Sequence, residues 1–313
     1  MATKERIIKS VAVPVERTSV LLDRLTLVAF TLFILFAAGA PVAIRFTYAE
    51  LPPFWSGTAR FSAGALVFWV LMLLRKIPVP RGQALVGAVL FGIFSVGGAF
   101  VLAAWGLVKT PASLASVLMA LVPLLTLFFV YLHGLESLRW QGLMGSLLAV
   151  AGIAVVFGGS TGGALSIPHV LAMIAAAAFL AEAGVIAKKF PRSHPIAMNA
   201  IAMTVGVSIL SMASLLSGER WVIPSQANTW IALTYLVFLV TVIGFLLYLY
   251  VLRRWTASGT SYAFVMSPLV TVILAAQLAG EQITSSFILG AGLVLSGVVF
   301  GALLPSKARD NAG

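Results

Sequence analysis

Residues 111–137 read PASLASVLMALVPLLTLFFVYLHGLES, and residues 257–282 read ASGTSYAFVMSPLVTVILAAQLAGEQ. A shift of 145 positions lays the first on the second without a gap, and a glycine-spaced apolar run follows each. Identical pairs include Ala112/Ala257, Ser113/Ser258, Ser116/Ser261, Pro123/Pro268, Thr126/Thr271, Glu136/Glu281, Gly145/Gly290 and Gly152/Gly297. Apolar stretches coincide by chance more readily than mixed ones, so the paired Ser, Pro and Glu positions are the informative ones. A self-match at fixed spacing has to be found before local signals are read, because it sets the architecture.

The chain around this repeat is 61% apolar and 9% charged over 313 residues, with mean hydropathy +1.08. A soluble domain is about 25% charged, so nearly all of this chain belongs in a bilayer. The absence of Cys excludes disulfides, thiolate metal sites and Cys nucleophiles. At roughly 20 apolar residues per crossing, the sequence predicts ten spans: 25–44, 54–74, 83–108, 111–132, 139–158, 167–187, 195–216, 229–252, 258–279 and 284–304. Turn chemistry separates them, as in LPPF, IPVPRG, GGSTGG and FPRSHP. Residues 25–36 followed by Ala38-Gly39-Ala40 also have the form of a cleavable signal. The shift places Gly39 on Gly184, however, which favours a retained first span.

With the N-terminus inside, the inner segments hold 16 of the 20 Lys and Arg residues and the outer loops hold Arg45, Lys109 and Arg220. Basic residues concentrate on the cytoplasmic side of membrane proteins. The net charge of +11 is thereby explained without any nucleic acid. The expected fold is an all-α integral membrane protein of ten transmembrane helices, built as two inverted-topology five-helix repeats. The repeats occupy 25–158 and 159–304, between cytoplasmic tails 1–24 and 305–313. Inverted repeats commonly build carriers with a midplane site between the halves, since each half can adopt the other's conformation. One chain holds both halves, so a monomer suffices.

These residues resemble the drug/metabolite transporter superfamily, in its ten-helix EamA-type branch. The resemblance rests on PASLAS, Pro123, Glu136, Gly145 and Gly152, on their second copy, and on an early Arg in TARFSAGAL. It covers nearly the whole chain. It implies a secondary carrier of small metabolites in the bacterial inner membrane, often an exporter, with amino-acid exporters among its members. It does not choose the cargo, and HGLE stands where Gly-Glu would be usual.

Arg60 and Glu182 are the charges well inside expected spans, and an intramembrane charge is a functional hypothesis by default. Arg60, six residues from the outer end of its helix, either snorkels outward or holds a substrate carboxylate. Glu182 falls on Ala37 under the shift, so it breaks the symmetry. It would bind a substrate ammonium, carry a coupling proton, or pair with Lys188 or Lys189. Glu136 and Glu281 each precede an apolar run, where a carboxylate suits a helix N-terminus. Pro123 and Pro268 lie mid-span and read as matched kinks, either gates or fixed bends. Ser113 with Ser116, and Ser258 with Ser261, share helix faces as packing residues or as cavity hydroxyls. Phe91, Phe94, Gly98 and Trp105 fall on one face at 100° per residue, lining a cavity or facing lipid, and Trp105 maps onto Tyr250. Asn199 and Tyr262 are polar residues expected to point inward.

His133, His169 and His194 lie far apart with no metal spacing, no P-loop is present, and no catalytic set or cofactor is expected. The expected partners are a small-molecule substrate and membrane lipids, with protons as a candidate coupling ion. A secondary transporter leads. A membrane enzyme on lipid-linked substrates would call for an acidic or His cluster at the interface. A sensor or scaffold would call for a soluble domain to pass a signal onward.

Overall fold

The computed structural model describes residues 18–134, 140–158, 166–255 and 257–300, all helical or connecting chain. Eight helical segments are long and apolar enough to cross a membrane. We label them α1 (Arg24–Thr47), α2 (Pro53–Leu74), α3 (Gln83–Lys109), α4 (Ala112–Leu132), α6 (Ile167–Lys189), α7 (Pro195–Leu216), α8 (Ala227–Arg254) and α9 (Gly259–Leu278). Two further apolar helices, α5 (Trp140–Gly158) and α10 (Ser285–Val298), occupy the other expected positions. Leu66, Val70 and Leu73 form an exposed apolar stripe along α2, an arrangement suited to lipid and costly in water.

Contacts between helices repeat under the 145-residue shift. α3 packs on α6 and α8 packs on α1; α4 packs on α6 and α9 on α1; α2 pairs with α7 and α5 with α10. Glycine makes the last pairing possible. A Cβ on Gly152 would lie 2.5 Å from the Gly290 carbonyl, and one on Gly297 would lie 2.5 Å from the Gly145 carbonyl. Without an aqueous driving force, helices in a membrane associate by such close backbone approach.

Several helices are interrupted. α1 breaks at Gly39, two residues before Pro41. Proline frees a carbonyl one turn earlier, and freed groups at membrane depth must find partners. The Tyr235 hydroxyl donates to the Phe36 carbonyl and the Thr271 hydroxyl to the Ala38 carbonyl, each at 2.7 Å. α3 and α8 contain π-helical segments at Ile93–Gly98 and Tyr235–Ile243. Residues 93–98 shifted by 145 become 238–243, so the two segments coincide in the repeat. α4 breaks before Pro123, its second segment starting at Val122, whereas α9 breaks at Tyr262 and then runs unbroken through Pro268. The expected matched kinks are therefore not alike: one proline starts a segment and the other lies within one.

One end of the bundle is closed by carboxylates. A helix start leaves its first N–H groups without intrahelical partners. The N-cap residues of α2 and α4 are Pro52 and Pro111, which carry no side-chain acceptor. Glu219 accepts from the backbone N–H groups of Phe54 and Trp55 at 3.1 and 2.8 Å. Glu281 accepts from the Ala112 and Ser113 N–H groups at 2.7 and 3.1 Å, and from the Ser113 hydroxyl at 2.6 Å. Glu50 accepts from the Ser225 and Gln226 N–H groups at the start of α8, at 2.9 and 3.0 Å. Each of the three carboxylates caps a helix in the other half of the sequence. Charge-assisted bonds of this kind are about twice as strong as neutral ones, and the helix dipole adds to them. Stacking of Trp55 on Trp221, with ring centroids 4.5 Å apart, joins the halves at the same end.

Glu281 was expected to start its own following helix. Instead Gly280, at φ 64°, turns the chain, Glu281 reaches α4, and Thr284 caps α10 by accepting from the Phe287 N–H at 3.2 Å. Glu136 and the side chain of Ser258 lie outside the described residues.

Two outcomes follow from this packing and capping. Gly152→Leu forces a side chain into the Gly290 carbonyl and costs about 1–3 kcal/mol by overpacking, lowering Tm in detergent. Gly292→Ala, whose added Cβ meets nothing within 4 Å, leaves Tm unchanged or slightly raised. The Glu50 carboxyl is lowered from 4.5 to about 2, chiefly by the Ser225 hydroxyl, then by that of Thr229 and by the backbone N–H groups. A depressed folded value stabilises the protein above the ordinary range and loses that contribution as pH falls toward the folded value. Acid titration of Tm should therefore show a loss between 4.5 and about 2 that Glu50→Gln reduces; identical acid limbs would contradict it.

Candidate functional site

An internal cavity of about 160 Å³ lies among α1, α2, α3, α4, α6, α8 and α9. The repeat governs its wall. Ser95/Val240, Phe100/Phe245, Ala103/Tyr248 and Met119/Phe264 are pairs at the 145-residue spacing, and both members of every pair line the space. The π-helical segments supply Ser95 and Val240. Such segments are frequent at functional sites because they re-aim side chains. Among the described residues, the polar side chains lining the cavity are those of Ser95, Ser116, Ser267, Tyr248 and Arg60.

Arg60 is the asymmetric member, since Val205 occupies the shifted position. Its residue is 3% exposed. Its Nε donates to the Thr241 hydroxyl, in the π-helical segment of α8, at 2.7 Å. The guanidinium carbon sits 4.7 Å from the Phe61 ring centroid and 5.2 Å from that of Phe100, and desolvated cation–π contacts of this kind are worth about 2 kcal/mol. Among the described residues no carboxylate pairs with it. A buried cation without a counter-ion is costly. Thr241 and the two rings only partly offset that cost, so an anion entering the cavity gains from it.

The other expected residues lie elsewhere. The Glu182 Oε1 is 2.7 Å from the His133 Nε2, and the Lys189 Nζ is 3.3 Å from the His133 Nδ1. The partner of Glu182 is thus His133, just past the end of α4, rather than the lysines of its own helix. The second carboxylate oxygen, Oε2, is buried without a hydrogen bond among the described residues. Glu182 does not line the cavity. Ser113 is committed to Glu281, while its neighbour Ser116 lines the cavity, its hydroxyl buried and without a hydrogen bond among the described residues.

Trp105 is 42% exposed and stacks on His169 at 4.3 Å. Phe91 lines the cavity, whereas Phe94 packs on Phe179 with centroids 5.3 Å apart. The single aromatic face expected for α3 is split because the π-helical segment changes register between them. Tyr250 lies under the Arg254 guanidinium at 3.6 Å, and Tyr262 packs against the core around α4. Neither lines the cavity. Asn199 is fully buried, its amide without a hydrogen bond among the described residues and outside the cavity wall.

Sequence reasoning missed Phe100, Phe245 and Tyr248. The same 145-residue shift, applied to α3 and α8, pairs the two phenylalanines and would have pointed to them. Among the described residues no group of three His, Asp or Glu side chains could hold a metal ion.

The arrangement is an apolar chamber between repeated helices, with Arg60 its one charged lining residue among the described residues. The model of the EamA-like transporter family matches residues 24–158 and again 167–302, and the chain belongs to that family. It is a transmembrane transporter of small molecules, and the family and its relatives are transporters rather than enzymes. An uncharacterized inner membrane transporter of Escherichia coli (strain K12), YedA, is 28% identical over 275 residues, covering 86% of this chain and 88% of YedA. A probable amino-acid metabolite efflux pump of Salmonella typhimurium is 27% identical over 212 residues, covering 64% of this chain and 71% of the pump. A crystal structure superposes with a TM-score of 0.67 at 21% identity, covering 90% of this chain and 97% of the other, and shares the fold.

Proposed function

We propose that this chain is an inner-membrane exporter of small carboxylate-bearing metabolites, namely apolar or aromatic amino acids and related compounds. The observation that carries this reading is Arg60, buried in the wall of an apolar cavity with no carboxylate partner among the described residues. The volume suits a small metabolite, since cavities for drug-sized ligands run to about 300–1,000 Å³. A guanidinium binds a carboxylate through paired N–H groups, and the Phe100, Phe245 and Tyr248 rings suit an apolar remainder. The relative described as a probable amino-acid metabolite efflux pump supports the same class. Among the described residues no Asp or Glu lines the cavity, so a substrate ammonium would rely on hydroxyl and carbonyl oxygens. This favours carboxylates whose amine is absent or weakly held.

In this reading ten spans form two inverted five-helix halves that rock about the cavity, with both termini cytoplasmic and one chain sufficient. The Glu50–Glu219–Glu281 end faces away from the cytoplasm and is the closed gate. Its three caps exchange for water when the halves part there. Export follows from loading at the basic, cytoplasmic end. Coupling falls to Glu182 and His133, which join the halves at that end and accept a proton together, with Lys189 beside them. Its unbonded oxygen is what supports Glu182 in this role.

Counterflow into proteoliposomes, run with amino acids, their deaminated acids and their neutral amides, tests the cargo. Arg60→Gln should lower carboxylate flux by about tenfold or more, since a hydrogen bond to a charged group is worth about 1.5–3 kcal/mol, and should spare the amides. Equal carboxylate flux in wild type and variant would remove Arg60 from the site. For coupling, Glu182→Gln should flatten the pH dependence of flux over about pH 5 to 8. A pH profile that the substitution leaves unchanged would dismiss the pair as the proton carrier.

A further inference from the structure

A second pocket, about 70 Å³, opens at the opposite end of the bundle from Glu50, where α3 begins, α6 turns into α7, and α8 ends. Its rim carries Lys188, Arg192 and Arg253, and its floor is Ala88, Met198, Leu249 and Leu252. Two of the cations are positioned by neutral groups. The Lys188 Nζ donates to the Trp255 carbonyl at 2.6 Å, and the Arg253 guanidinium donates to the Ser193 carbonyl. Among the described residues no carboxylate pairs with any of the three. His194 is held below the ordinary imidazole range, first by burial and then by Arg253 and Arg75. Three cations around one concavity repel each other, and packing alone does not require them to share it.

We propose that this pocket binds the phosphate of an anionic phospholipid. Lys188, Arg192 and Arg253 hold the head group, and the apolar floor takes the first carbons of the lipid. Basic residues near a membrane surface each contribute about 1 kcal/mol toward anionic lipid, and an apolar floor distinguishes a lipid phosphate from a free one. The site is separate from the transport cavity and does not depend on its cargo.

Native mass spectrometry of the detergent-purified full chain, titrated with equal phosphatidylglycerol and phosphatidylcholine, tests it. Wild type should retain phosphatidylglycerol about tenfold more tightly than phosphatidylcholine. Lys188→Gln with Arg192→Gln should abolish that preference. The charge-keeping pair Lys188→Arg with Arg192→Lys should preserve it and report that the region still folds. Lys76→Gln with Arg81→Gln, removing two charges at the same end outside the pocket, should also preserve it. Displacement of phosphatidylglycerol by millimolar inorganic phosphate at constant ionic strength would uphold the phosphate site and reassign its source to a free ion. No preference in wild type, or an equal loss in the Lys76/Arg81 pair, would overturn the proposal.

Discussion

A helix that starts with proline at its N-cap has no side chain of its own to take its first N–H groups. In a membrane protein, where unpaired backbone is expensive, the partner must come from elsewhere. Here it comes from the other half of the chain, as Glu219 for α2 and Glu281 for α4, with Glu50 returning the contact to α8. This requirement brings the halves together at one end. The break in α1 is served in the same way, by Tyr235 and Thr271. α1 therefore bends into the cavity wall at Ala37, Ala40 and Pro41 with the Phe36 and Ala38 carbonyls partnered. Closure of that end, the shape of the wall and the union of the halves rest on the same class of bond.

Symmetry and its violation divide the labour inside the cavity. Paired positions such as Phe100/Phe245 and Met119/Phe264 build a wall that is alike from both sides. Arg60 against Val205, Ser95 against Val240, and Ala103 against Tyr248 differ. In the function proposed above, discrimination between cargoes falls to the differing positions, since a matched wall offers the same apolar surface to any ligand.

Much of this was legible in the sequence. The repeat, the positions of the helices and the packing glycines follow from spacing and hydropathy, because close helix contact in a membrane demands small residues at fixed intervals. Arg60 stood out because charge inside an apolar run is conspicuous. What was hidden depended on which helix lies opposite which. Glu281 looked like the cap of its own helix, and only the turn at Gly280 sends it to α4. Glu182 looked tied to the lysines near it in sequence, while its partner, His133, is 49 residues away. Trp105 was aligned with Phe91 by a regular 3.6-residue helix, and nothing in the apolar run of α3 announces that the regularity fails at Ile93.

That failure has a genetic corollary. A π-helical segment binds i to i+5 where an α-helix binds i to i+4, so it absorbs surplus chain without lengthening the helix in proportion. Loss of a single residue from 93–98 would let α3 revert to regular geometry while the helix beyond keeps its facing, because the wide turn is where the surplus residue is stored. Phe100 would stay in the wall opposite Phe245, with no matching deletion needed in 238–243. Elsewhere in α3 the same deletion would turn everything beyond it by about 100°. The two π-helical segments are thus the places in these spans where a single-residue indel does least harm.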